Sequence, residues 1–126
     1  MNYGEFMKDV EERAGLDRDQ AEKAVRATLN TLAERLKGGE PKDLASQLPE
    51  ELKETVLLTA GRGSGMRIPV PDFIEIVADR EGASPDEARK HIEAVMGTLR
   101  DAVTEGEFDD VMAQLDPEYQ ELVPAG

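Results

Sequence analysis

The chain contains the same pattern twice, and this internal repeat constrains the fold more than any other feature. When the sequence is displaced by 67 residues, 18 of the 54 positions from Tyr3 to Val56 are identical, without a gap. Chance would give roughly three or four identities, so the sequence indicates duplication of one supersecondary unit. The identical pairs include Phe6 and Phe73, Arg13 and Arg80, Gly15 and Gly82, Thr31 and Thr98, Leu32 and Leu99, Glu40 and Glu107, Asp43 and Asp110, and Gln47 and Gln114.

Apolar residues at helical spacing predict that each copy begins with two helices. Phe6 and Val10 belong to the first stripe, which Phe73 and Val77 repeat. Gly15 and Gly82 follow these stripes and favour left-handed helix ends. Two longer stripes come next and form the candidate core, centred on Leu29, Leu32, Met96 and Leu99.

The remainder of each copy predicts two shorter helices. The third helix contains Leu44 in the first copy and Val111 in the second. The fourth begins near Pro49 and Pro117, in a first turn where proline is tolerated. In the first copy we expect Leu52, Val56 and Leu57 to form its apolar face. The predicted fold is all-α, with two tandem units of about four helices packed with approximate two-fold symmetry.

The repeat also predicts the domain organisation. We expect a first helical repeat at residues 1–60, a connector at 61–71 and a second repeat at 72–126, all in one compact globule. The prolines at 69 and 71 favour extended backbone before them. The connector is rich in glycine and locally basic. Arg62, Ser64 and Arg67 are therefore candidate contacts for a partner or an anion, although a flexible linker explains the same composition.

Charge and cysteine content limit the partners. The net charge is −13, whereas nucleic acids and anionic membranes attract basic surfaces, so we expect neither partner. The absence of cysteine excludes disulfides and thiolate metal sites. The sequence shows no secretory signal and no apolar run of membrane-spanning length, and we expect a cytoplasmic location.

Individual candidates for chemistry are weak. His91 stands alone as a histidine and is expected at the surface or at the boundary of the core, with Glu87 as a reachable carboxylate but no defined cleft. The acidic run at residues 105–110 lacks the ligand order of a calcium loop and is typical of a solvated helix start. The sequence therefore predicts no catalytic residue, cofactor site or metal site.

Several segments resemble the family of domain of unknown function 2267. The similarity is carried by Phe6, Val10 and Gly15, by the Gln20-Ala21-Glu22 start of the second helix, and most specifically by residues 43–52, DLASQLPEEL. It continues in the second half through Phe73 and Leu99-Arg100-Asp101-Ala102-Val103. The resemblance implies a duplicated helical protein. No activity is assigned to that family, so it supplies no functional residues.

Three classes of function remain open. A non-enzymatic protein-interaction module, which binds a protein partner or a second copy of itself, is favoured by the helical repeat and the absence of recognisable chemistry. The alternative is a small-molecule or lipid binder that uses an apolar cleft between the repeats. An enzyme would need titratable groups converging around His91, and the sequence gives no sign of them.

Overall fold

The computed structural model describes residues 1–60, 62 and 67–125. Within these ranges there is no strand, and the all-α prediction is confirmed. The elements in chain order are α1 (Tyr3–Ala14), α2 (Arg18–Glu34), α3 (Glu40–Ser46), α4 (Glu50–Leu58), α5 (Val70–Glu81), α6 (Pro85–Ala102), α7 (Glu105–Ala113) and a 3-10 helix (Pro117–Leu122). No helix in the described ranges is long and apolar enough to cross a membrane.

Local sequence signals set most of the helix ends. Gly15 and Gly82 cap α1 and α5 with φ of 68° and 79°, a left-handed conformation that glycine adopts without a steric penalty. Ser84 accepts a hydrogen bond from the backbone N–H of Glu87, whose side chain accepts one from Ser84 N–H, so the two residues form a capping box at the start of α6. Asp17 caps α2 through Gln20 N–H.

Two ends differ from expectation. The extended backbone expected from Arg67 to Pro71 stops earlier, since α5 begins at Val70. Pro71 lies in the first turn, where a backbone N–H has no helical acceptor, so proline fits there. The fourth helix of the second copy begins at Pro117, as expected, but it is a 3-10 helix. The division into residues 1–60, 61–71 and 72–126 itself stays a prediction.

The core is continuous and is shared between the two halves of the chain. Helix α1 packs on α6, and α2 packs on both α5 and α6. All four residues proposed as the core are buried: Leu29, Leu32, Met96 and Leu99. Because each half covers the apolar face of the other, neither half buries its own stripes alone.

Repeat-equivalent residues make matching hydrogen bonds between the halves. The backbone N–H of Lys37 donates to Gln114 Oε1 at 2.6 Å. The backbone N–H of Thr104 donates to Gln47 Oε1 at 2.7 Å. Displacing Lys37 and Gln47 by 67 residues gives Thr104 and Gln114, so each glutamine binds the other half's chain at the equivalent position.

Two ion pairs follow the same rule. Arg80 contacts Glu34 at 2.5 Å, and Arg13 contacts Asp101 at 2.8 Å. Arg13 and Arg80 are 67 positions apart, and so are Glu34 and Asp101. The two ion pairs therefore join equivalent positions of the two halves at two places. An approximate two-fold relation of the halves would produce them, and that relation stays a prediction.

A buried charge should unfold the shared core. Leu32 has no exposed surface, so Leu32→Asp places an unpaired carboxylate in an apolar interior, at a cost of roughly 4 kcal/mol or more. We expect loss of the cooperative thermal transition in circular dichroism. Leu58→Asp is the matched control, because Leu58 is 61% exposed, and it should keep parental helicity and melting temperature. Unchanged melting of Leu32→Asp would contradict the core assignment.

Gln47 and Gln114 should contribute equally to the stability of the protein. Gln47→Ala and Gln114→Ala should each lower the free energy of unfolding by about 0.5–1 kcal/mol, because each removes a short hydrogen bond to a solvent-accessible backbone N–H; the additional Gln114 Nε2 contact with Lys37 O is long, at 3.5 Å, and should add little. The double variant should lose the sum, within about 0.5 kcal/mol. Urea denaturation measures all three values. A loss in one single variant and none in the other would show that the reciprocal contacts are not equivalent.

Candidate functional site

Two neighbouring leucines of α4 are exposed to solvent. Leu57 is 44% exposed and Leu58 is 61% exposed. The buried face of α4 consists of Leu52 and Val56, which turn toward the core. The expectation that Leu57 joins that face is wrong, because one residue advances a helix by about 100° and places Leu57 to the side of Val56.

Leu57 borders an open apolar groove, and Leu58 lies next to it on the neighbouring surface. Its lining includes Leu57 and Ala60 from the end of α4, together with Leu36 and Pro41 from the α2–α3 region, and it encloses about 580 Å³. A second open space of about 600 Å³ continues on the other side of Leu57, between Leu58 and Lys53. We call the first of these, with Leu57 and Leu58, the α4 groove.

The charge beside the α4 groove is opposite to that of the protein as a whole. Lys37 and Lys42 line the open space beside Leu57 and no carboxylate does, whereas Glu50 and Glu54 line the second space, beside Leu58. Neither lysine makes an ion pair with any residue that the structure describes. In a chain of net charge −13, two unpaired ammonium groups beside apolar side chains form a local basic rim, which attracts anions over about one Debye length.

The connector candidates lie in different surroundings. Arg62 is exposed in the turn after α4, two residues beyond the groove residue Ala60. Arg67 is exposed but forms an ion pair with Asp116 at 2.9 Å, on the side of the second half. Ser64 lies outside the described residues. The role of Arg62, Ser64 and Arg67 as partner or anion contacts stays a prediction.

His91 has a carboxylate partner that the sequence analysis missed. Its Nδ1 contacts Glu81 of α5, and both side chains are largely buried. Glu87, the partner considered from sequence, instead caps α6. The missed contact joins the last residue of α5 to the second turn of α6, and a helix-face argument confined to α6 could not find it.

The space beside His91 is polar, in contrast to the apolar cleft expected between the repeats. It encloses about 230 Å³. Gln20 and Lys23 line it from the first half, and Glu81, Glu87 and His91 line it from the second. Charged and amide groups suit water or a polar ligand better than a lipid chain. The arrangement therefore does not favour lipid binding.

The comparisons with known proteins identify a family. None of the curated proteins matches the chain. A family model described as "Uncharacterized conserved protein (DUF2267)" matches residues 3–122, which span both halves and every helix. The resemblance noted from the sequence motifs is thereby confirmed, and the chain belongs to the DUF2267 family.

Proposed function

We propose that this protein is a non-enzymatic interaction module whose α4 groove binds an amphipathic helical segment of a partner protein, with acidic residues flanking the segment's apolar face. The observation that carries the proposal is the exposure of Leu57 and Leu58 beside a groove with a lysine rim. A cytoplasmic location and independence of nucleic acid belong to the same proposal and rest on the net charge and the absence of cysteine.

The apolar part of the groove suits a helix from a partner. Single exposed leucines are ordinary on protein surfaces, but two adjacent leucines beside an open apolar hollow form a continuous contact area. Helix-in-groove recognition uses apolar anchors at helical spacing, which enter such a hollow and remove both surfaces from water. Leu57 borders both open spaces and is the expected centre of the contact.

The charge of the groove selects among partners. Lys37 and Lys42 have no ion-pair partner in the described chain, so acidic residues beside the apolar anchors of a bound segment would supply one. The net charge of −13 disfavours a polyphosphate chain. Arg62, two residues beyond Ala60, would extend the basic rim along the bound segment.

The proposal includes an approximate two-fold relation between the repeats. The reciprocal glutamine contacts and the paired Arg13–Asp101 and Arg80–Glu34 bridges support it. The groove would break that relation, because the positions equivalent to Leu57 and Leu58 are Pro124 and Ala125, which follow the 3-10 helix. One binding face per chain is therefore expected.

A peptide selection tests the groove directly. The immobilised protein is offered displayed random peptides, and enriched sequences are measured as synthetic peptides by fluorescence anisotropy. We expect apolar residues at helical spacing together with Asp or Glu. Leu58→Asp should weaken binding by about 10-fold or more, because it removes an apolar contact and repels the acidic flanks.

Charge reversal provides the matched control. Lys42→Glu should weaken the same peptides by about 3- to 10-fold, whereas Lys90→Glu, an equal charge change at an exposed position of α6, should leave affinity unchanged. Equal losses of affinity in Lys42→Glu and Lys90→Glu would show that the effect comes from the net charge of the protein and not from the groove. If no peptide is enriched, or if the enriched peptides bind Leu58→Asp as tightly as the parent, the α4 groove is not the binding site. A dimer that Leu58→Asp dissolves, in light scattering, would make a second copy the occupant instead.

A further inference from the structure

Two buried glutamates from opposite halves meet where α3 packs against α7. Glu40 begins α3 and Glu107 lies in the first turn of α7, and each is 7% exposed. They are an identical pair of the repeat. Asp43, one turn after Glu40, brings a third carboxylate. One oxygen from each of the three side chains lies within 4.8 Å of the other two.

No positive group of the described chain compensates these three carboxylates. None of them forms an ion pair with a lysine, arginine or histidine in the described ranges. The Glu107 Oε2 atom is buried and has no hydrogen-bond partner there. Asp110, the repeat equivalent of Asp43, adds a fourth negative charge nearby.

The helix ends do not account for this arrangement. An acidic residue in the first turn of a helix is stabilised by free backbone N–H groups, and that explains exposed acids such as Glu105. Stabilisation by backbone N–H groups does not explain why Glu40 and Glu107 are both buried and face each other. Two negative charges repel strongly where little water screens them. The compensating positive charge must come from solution, as a metal ion or as a proton.

A metal ion compensates the negative charge of more carboxylates in the cluster than a single proton does. A shared proton joins two carboxylates and leaves the third charged. A hard divalent cation such as Ca²⁺ binds six to eight oxygens and accepts carboxylates and water together. An open space of about 560 Å³, bordered by Glu40, Asp43 and Asp110, gives water access to the cluster. Lys37 also borders that space, but it makes no ion pair with these acids in the described chain.

We propose that Glu40, Asp43 and Glu107 form a binding site for a divalent cation of the Ca²⁺ class, at the seam where the two halves of the chain meet. The bound cation ties α3 of the first half to α7 of the second through carboxylates of both. The site is separate from the α4 groove, and the proposal of a cation site does not depend on a peptide partner.

The same geometry predicts a pH dependence in the absence of the cation. Burial, followed by the charge of the neighbouring Glu40 and the hydrogen bond with it and then by the charges of Asp43 and Asp110, raises the pKa of Glu107 to about 7. Burial also raises the pKa of Glu40. The pKa of Glu107 in the folded protein lies above the value of 4.5 in the unfolded chain. Between pH 4.5 and about 7 the folded protein therefore binds more protons at Glu107 than the unfolded chain does.

This linkage has a definite sign. The free energy of unfolding contributed by Glu107 should fall as pH rises from about 4.5 to about 7. The urea midpoint of metal-free protein relative to Glu107→Gln, measured across that window, checks it. The glutamine variant cannot ionise there, so the difference between the two proteins should decline with pH. A constant difference would show that Glu107 does not titrate in this range.

Calcium titration of the metal-free protein tests the site. At a pH of about 8 and fixed ionic strength, about 1 mM CaCl₂ should raise the melting temperature by about 3 °C or more, because a ligand of the folded state stabilises it. Isothermal titration calorimetry should give one site per chain. Glu107→Gln should abolish both signals. Asp43→Asn, at an exposed position that tolerates substitution, should weaken binding about 10-fold and keeps the test valid if Glu107→Gln does not fold.

Glu105→Gln is the matched control. It removes the same charge from an exposed position of α7 and should bind calcium as the parent does. Absence of a calcium effect in the parent, also with MgCl₂ and MnCl₂, would overturn the proposal and leave a shared proton as the compensating charge. Equal effects in the parent, Asp43→Asn and Glu105→Gln would also overturn it, since they would mean general screening of a protein with net charge −13.

Discussion

The packing of each half against the other is the constraint on which the rest of this structure depends. Helix α1 covers α6 and α2 covers α5, so the apolar stripes of both copies end in one interior. A unit of about 55 residues buries only about 60% of the surface of its unfolded chain and is marginally stable by itself. Packing the two halves on each other removes the stripes of both from water.

The cross-half polar contacts follow from that packing. When two similar units pair through the same surface, a residue of one meets a defined residue of the other, and the equivalent meeting occurs a second time. Gln47 and Gln114 each bind the opposite chain, and Arg13 and Arg80 each bind an acid of the opposite half. Glu40 and Glu107, which are also an identical pair in the displaced sequence, meet between the two halves and place two carboxylates together.

The two proposed sites arise from opposite features of the repeat. The cation site lies where the halves match, since it needs the same glutamate from each. The α4 groove lies where they differ, because α4 continues to Leu58 whereas the second copy has Pro124 and Ala125 at the equivalent place. A duplicated protein can thus retain paired residues for assembly and develop an unpaired surface for recognition.

The sequence alone determined the helices, their caps and the residues of the core. Helical spacing and cap chemistry act within a few residues, so the helix ends at Gly15 and Gly82 and the stripes through Leu32 and Leu99 could be assigned without a structure. The family could be assigned as well, since its motifs are local.

Tertiary structure decided which distant groups meet. The acidic run at 105–110 was set aside because its own order does not form a calcium loop, and its partners Glu40 and Asp43 come from the other half. His91 finds Glu81 across a helix junction, and Leu57 leaves the face it was expected to join. Each outcome depends on the angle and register at which helices pack, and local spacing does not encode either.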